Sequence, residues 1–166
     1  EPVRISVNIS REYIHTFDVV GEMLHLVNKY DIPIKLLELE ITETTDSEGV
    51  SDVVQKMKDA GFTMLMDDFG SGYSSLNMLQ KTQFDVLKID RGFLSEFMES
   101  SRGRKIISHT ISMSRDIGLD IIAEGVETPE QASFLSDCGY DSAQGFYYSK
   151  PITQEEFDKM LVEVNK

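Results

Sequence analysis

Seven polar side chains fall where chemistry is usually placed. Asn8, Glu40, Asp67, Asp68, Lys88, Glu124 and Gln144 lie at the ends of short apolar runs, which read VRISVN, LLELE, FTMLMDD, DVLKID, DIIAE and YDSAQ. The set is rich in oxygen donors and contains no Cys or His, which favours Mg²⁺ or Mn²⁺ over zinc. Two carboxylates in tandem, Asp67 and Asp68, can bridge a pair of such ions. A pair of metal ions activates a water and stabilises the leaving oxygen in phosphodiester hydrolysis.

Each residue also has a plainer reading. Adjacent residues on a regular strand point to opposite faces, so Asp67 and Asp68 share a site only where the strand ends and twists. Otherwise one of them caps the following turn. Lys88, inside the apolar run VLKID, either positions a water and neutralises phosphate or forms an interior salt bridge to Asp90. Glu124 ends a buried strand and needs a partner, for which a metal is suitable. Glu127 is either functional or a first-turn acid suited to a helix dipole. Asn8 and Gln144 serve as neutral ligands or water-holders, or as satisfied core amides. The loop Gly70, Ser71, Gly72 allows close backbone approach, and Ser74 or Ser75 can cap the next helix. No Gly-Lys-Ser/Thr follows, so it is not a P-loop.

These groups need elements to carry them. Strand and helix alternate throughout, with strands over 3–9, 36–42, 62–68, 85–90, 119–124 and 142–147. Helices are expected over 17–30, 49–60, 74–80, 102–117, 129–137 and 153–164. Strict alternation predicts an α/β fold with a parallel sheet. An open doubly wound sheet gathers its ligands at one switch point. Polar groups at all six strand ends instead favour a (β/α) barrel of the TIM type, whose chemistry sits at the carboxyl ends of its strands. In Leu37-Glu38-Leu39-Glu40-Ile41 and Val3-Arg4-Ile5-Ser6-Val7-Asn8, aliphatic and polar residues alternate. The aliphatics should face the helices and the polar groups the interior, with an interior Arg4–Glu38 ion pair below the site.

The 166 residues carry a net charge of −13. That excludes a basic nucleic-acid-binding face, so no DNA or RNA duplex binding is expected. An anionic substrate would need intervening cations. The single cysteine, Cys138, reads as a buried spacer in preference to a reactive thiol, and rules out an internal disulfide. His15, His25 and His109 show no ligand spacing. No signal peptide or membrane span is visible, and a cytoplasmic location is expected. An eight-unit barrel takes about 250 residues. With six units and a strand at once after Glu1, the sequence reads as a partial barrel over 1–166, short of its first units.

SVNIS, ELEITET, DDFGSGYSSL, LKIDRGF, AEGVET and QGFYYSKP, in this order, resemble the EAL domain family, bacterial phosphodiesterases for cyclic di-GMP on a (β/α) barrel. The resemblance runs from about residue 3 to 152. It implies that Asn8, Glu40, Asp67, Asp68 and Glu124 are ligands of two Mg²⁺ or Mn²⁺ ions, with Asp67 bridging. It implies that Lys88 contacts the attacking water and supports its deprotonation, and that Glu127 and Gln144 either back the metal ligands or position water. Glu43 would hold the DDFGSGYSS loop, which in the family links the metal site to a dimer interface. A homodimer follows as an expectation. The segment from Thr42 to Gly49 is shorter than the family pattern. The Glu-Ala-Leu signature and a nearby arginine are absent. With them, about two units of roughly 30 residues each would be missing. The intact parent would cut cyclic di-GMP to linear pGpG, while the fragment itself would be weak or inactive. A fused sensor or cyclase domain and a membrane anchor are compatible with such a parent. The alternative is a non-catalytic cyclic di-GMP receptor or interaction module.

Overall fold

A computed structural model describes residues 3–16, 18–42, 49–72 and 75–164. Its strands are β1 (Ile5–Asn8), β2 (Leu37–Thr42), β3 (Thr63–Phe69), β4 (Val86–Ile89), β5 (Asp120–Ala123) and β6 (Ser142–Ala143). Its helices are α1 (Arg11–Thr16), α2 (Val19–Lys29), α3 (Val50–Asp59) and α4 (Ser75–Lys81), followed by α5 (Arg91–Met98), α6 (Ser101–Asp116), α7 (Pro129–Cys138) and α8 (Gln154–Val164). Every strand pairs in parallel with the next, in the order β1-β2-β3-β4-β5-β6. A doubly wound sheet reverses its order at a switch point, and this order never reverses. The six strands form a half-barrel.

The two faces follow strand parity. Leu39, Ile41, Met64, Met66 and Leu87 point outward and pack with Val54 and Met57 of α3 in one core cluster. Ile89, Ile121 and Ala123 point outward into a second cluster with Leu94, Ile107, Ile111 and Leu135. Glu38, Glu40, Leu65, Asp67, Val86 and Lys88 occupy the alternate positions and belong to neither cluster, yet all are buried. The alternation of leucine and glutamate in β2 therefore places the acids inside. The Arg4–Glu38 pair forms at 3.1 Å, but the Arg4 side chain is 64% exposed. It is a half-open pair because β1 lies at an edge of the sheet and all four of its residues are exposed.

Three elements differ from the sequence reading. A short helix, α1, precedes α2. The stretch after β4 folds as α5, capped by Asp90, before Ser100 opens α6. Strand β6 has only two paired residues. The capping box expected at Thr153 is present: Glu156 Oε2 accepts from Thr153 N at 2.8 Å and Thr153 Oγ1 accepts from Glu156 N at 3.3 Å.

A repeated device pins the starts of the strands. Asp85 Oδ2 accepts from Met64 N at 2.8 Å, Asp85 N donates back to Met64 O at 2.9 Å, and Lys58 Nζ lies 2.8 Å from Asp85 Oδ1. Asp141 repeats this: its Oδ2 accepts from Ile121 N at 2.9 Å, its N–H donates to Ile121 O at 3.1 Å, and Arg115 lies 3.4 Å away. In both cases the cation sits three residues before the glycine, Gly61 or Gly118, that ends its helix.

Candidate functional site

The tandem aspartates share one site because β3 is irregular there. Met66 pairs with Leu87, but Phe69 pairs with Ile89, so two residues, Asp67 and Asp68, stand opposite Lys88 alone. Such a bulge re-aims side chains. Asp68 adopts φ +58°, a left-handed conformation that Asp tolerates better than most residues. The twist that the sequence reading required is thus a bulge.

Lys88 is the hub. Its Nζ lies 2.9 Å from Glu40 Oε1 on β2, 2.9 Å from Asp67 Oδ1 on β3 and 2.7 Å from Glu124 Oε1 just beyond β5. The alternative of a Lys88–Asp90 salt bridge is not what forms: Asp90 turns away to accept from Phe93 N at 3.0 Å as the cap of α5. Glu124 also accepts from Gln144 Nε2 at 2.6 Å, which ties β6 to the cluster. Asn8 stands in register with Glu40 at the exposed edge of the sheet. Asp67, Asp68 and Glu124 each offer an oxygen within 4.8 Å of the others.

Burial works against the charge on Lys88, but hydrogen bonding to Glu124, Glu40 and Asp67 outweighs it and raises its pKa above the ordinary lysine value. The ammonium stays charged. Burial, followed by the neighbouring negative charges of Asp67, Asp90 and Glu40, pushes the Asp68 carboxyl up. Burial is also the main cause of the raised Glu124 pKa, with Lys88 opposing it. Asp67 Oδ1 is fully buried and faces the Lys88 ammonium at 2.9 Å. Oxygen donors of net negative charge that converge as Asp67, Asp68 and Glu124 do fit a hard divalent cation.

Other candidates lie around this core. Glu127 turns to Arg91, whose guanidinium is 2.8 Å away. The Arg91 stem crosses Gly125, where an added Cβ would sit 2.2 Å from Arg91 Cγ. Periodicity could not flag Arg91, which lies one residue past the cap of a helix that the sequence reading did not include. Gly70 has φ +98° and lies against Phe93, while Ser71 N closes a turn onto Asp68 O at 3.1 Å. Gly72 lies with Gly70 along an apolar groove lined by Phe93 and Phe97. Glu43 and Ser74 lie outside the described residues. Cys138 is half-buried and packs on the second core cluster.

The sequence profile described as "EAL domain" matches residues 1–151. The chain belongs to the EAL domain family. As an EAL domain, it is 33% identical over 162 residues to the signaling protein YkoW of Bacillus subtilis, covering 96% of this chain and 20% of that protein. It is 31% identical over 164 residues to the cyclic di-GMP phosphodiesterase NbdA of Pseudomonas aeruginosa, covering 97% of this chain and 21% of that one. This EAL domain thus spans about a fifth of these relatives' length. A solved structure of the PaMucR phosphodiesterase in complex with c-di-GMP superposes with a TM-score of 0.85 at 34% identity, covering 93% of this chain and 64% of the other. No helix among the described residues is long and apolar enough to cross a membrane.

Proposed function

We propose that this EAL domain, in its complete form, is a metal-dependent phosphodiesterase that opens cyclic di-GMP to linear pGpG. The observation that carries the reading is the pooling of Glu40, Asp67 and Glu124, from three different strands, around Lys88, with Asp68 brought alongside by the bulge. The family match and the cyclic di-GMP complex of PaMucR supply the substrate class. Asn8, Glu40, Asp67, Asp68 and Glu124 are the residues we assign, which would hold two Mg²⁺ or Mn²⁺ ions. When bound, the ions supply an activated water and neutralise phosphate charge.

The residues of the chain divide the remaining work. Lys88 is assigned to contact the attacking water and support its deprotonation, from its place among the three carboxylates. Gln144 fixes the rotamer of Glu124 through its amide hydrogen bond. Glu127 acts at the rim, through Arg91. Glu43 is assigned to the anchoring of the loop through Gly70, Ser71 and Gly72. Further barrel units carrying the Glu-Ala-Leu signature belong to the same proposal, as do a fused sensor or cyclase domain and a homodimer. The groove of about 710 Å³ beside Gly70, lined by Phe69, Phe93, Phe97 and Ile106, supports the dimer as an apolar surface continuous with the loop.

The deciding measurement is turnover of cyclic di-GMP by the complete protein with Mn²⁺. Formation of pGpG is expected, with little or none from residues 1–166 alone. Tight binding of cyclic di-GMP without turnover would refute the enzyme and leave a receptor.

A further inference from the structure

Lys88 has a role that precedes any reaction. Its side chain is 7% exposed and its Nζ lies within 2.9 Å of each of three carboxylates. An ammonium carries three donors, and here Glu40, Asp67 and Glu124 stand around it. Their strands flank β4 on both sides. Without a cation these carboxylates would face one another in a poorly solvated interior, where like charges repel strongly. Two of the three, Asp67 and Glu124, also converge with Asp68 on one point. Oxygen atoms turned to the ammonium and oxygen atoms offered to a divalent ion are therefore drawn from the same carboxylates.

We propose that Lys88 is the resident cation of the cluster. It holds Glu40, Asp67 and Glu124 in place before a divalent ion arrives, and an arriving ion must draw Asp67 and Glu124 away from it. Lys88 is then a positioning residue that sets both the order of the metal-free site and its affinity for cations. This rests on the phosphodiesterase reading only for the identity of the ion.

The test uses the full chain with Lys88→Met and Lys88→Gln. Mn²⁺ affinity is measured by the electron-paramagnetic-resonance signal of free Mn²⁺, and thermal unfolding is followed in EDTA and in Mn²⁺. Both variants are expected to bind Mn²⁺ at least about tenfold more tightly than wild type, about 1.4 kcal/mol. Both should unfold at lower temperature than wild type in EDTA and recover in Mn²⁺. If either fails to fold in EDTA, refolding on Mn²⁺ addition is the expected result. Unchanged or weaker Mn²⁺ affinity, unchanged melting in EDTA, or failure to refold with Mn²⁺ overturns the proposal. Absence of cyclic di-GMP hydrolysis by the complete protein would count against the phosphodiesterase reading and leave these outcomes as they are.

Discussion

Asp85 is where the alignment of the site with the fold can be tested. It precedes β4, and Lys88 follows three residues later, so whatever fixes the start of β4 against β3 also fixes Lys88 against Asp67. Asp85 Oδ2 takes the Met64 N–H at 2.8 Å, and Lys58 approaches the other oxygen at 2.8 Å. A hydrogen bond to a charged acceptor contributes about 1.5–3 kcal/mol. The Lys58 pair, with side chains 23% and 35% exposed, is open to solvent screening and adds at most about 0.2–1 kcal/mol. Asp85→Ala should therefore destabilise the chain by about 2–3 kcal/mol. Asp85→Asn retains a carbonyl acceptor and loses the charge, so its loss should be about 1 kcal/mol. Urea unfolding gives both values, provided the denaturant slope is unchanged. An Asp85→Ala variant within about 0.5 kcal/mol of wild type would refute the pinning role. So would an Asp85→Asn variant as unstable as Asp85→Ala.

Two further outcomes are expected. Gly70→Ala would bring a Cβ to 2.5 Å from the Phe93 ring at φ +98°, and overpacking typically costs about 1–3 kcal/mol. Equal stability in urea would show that Phe93 does not cover the turn. Burial raises the Cys138 thiol pKa, with a hydrogen bond to Ser108 opposing it. A raised pKa leaves less thiolate at pH 8, so iodoacetamide should label native Cys138 more slowly than the urea-unfolded chain. This group's linkage favours the folded state below the unfolded thiol pKa, and that contribution is lost as pH rises through the folded value. Equal labelling rates would contradict the burial.

Much of the architecture was legible because strand parity is a local property. Leucine and glutamate alternate in β2, and no other pairing of faces lets Leu39 and Ile41 meet α3 while Glu38 and Glu40 stay inside. The sequence also placed Lys88 and Glu124 at neighbouring strand ends. It could not choose between Asp90 and more distant carboxylates as partners of Lys88, because that depends on which cap α5 requires. The helix itself was missed: Phe93, Leu94, Phe97 and Met98 are helically spaced, but they follow a strand too closely to stand out as a separate element. The paired roles of Asp85 and Asp141 were equally hidden. Each depends on a backbone N–H of the preceding strand, and hydropathy carries no trace of such a bond.

The position of the cluster within the sheet bears on which parts of it are fixed most firmly. Lys88 and its three carboxylates come from β2, β3, β4 and the end of β5, and each of those strands is hydrogen-bonded on both sides. Asn8 and Gln144 come from β1 and just beyond β6, the two edges among the described residues, and both are exposed. Inner strands cannot shift without breaking two ladders, whereas an edge strand breaks one. The carboxylate geometry is therefore a property of the middle of the sheet, and the neutral amides are its adjustable margin. The bulge at Asp67 and Asp68 is consistent with this. It interrupts the β3–β4 ladder where Lys88 stands opposite, so the lysine and its carboxylates supply across that gap the cohesion that the backbone gives up. Among the inner strands, β3 and β4 are the pair whose registration depends on side chains at both ends, with Asp85 at the start and Lys88 at the finish.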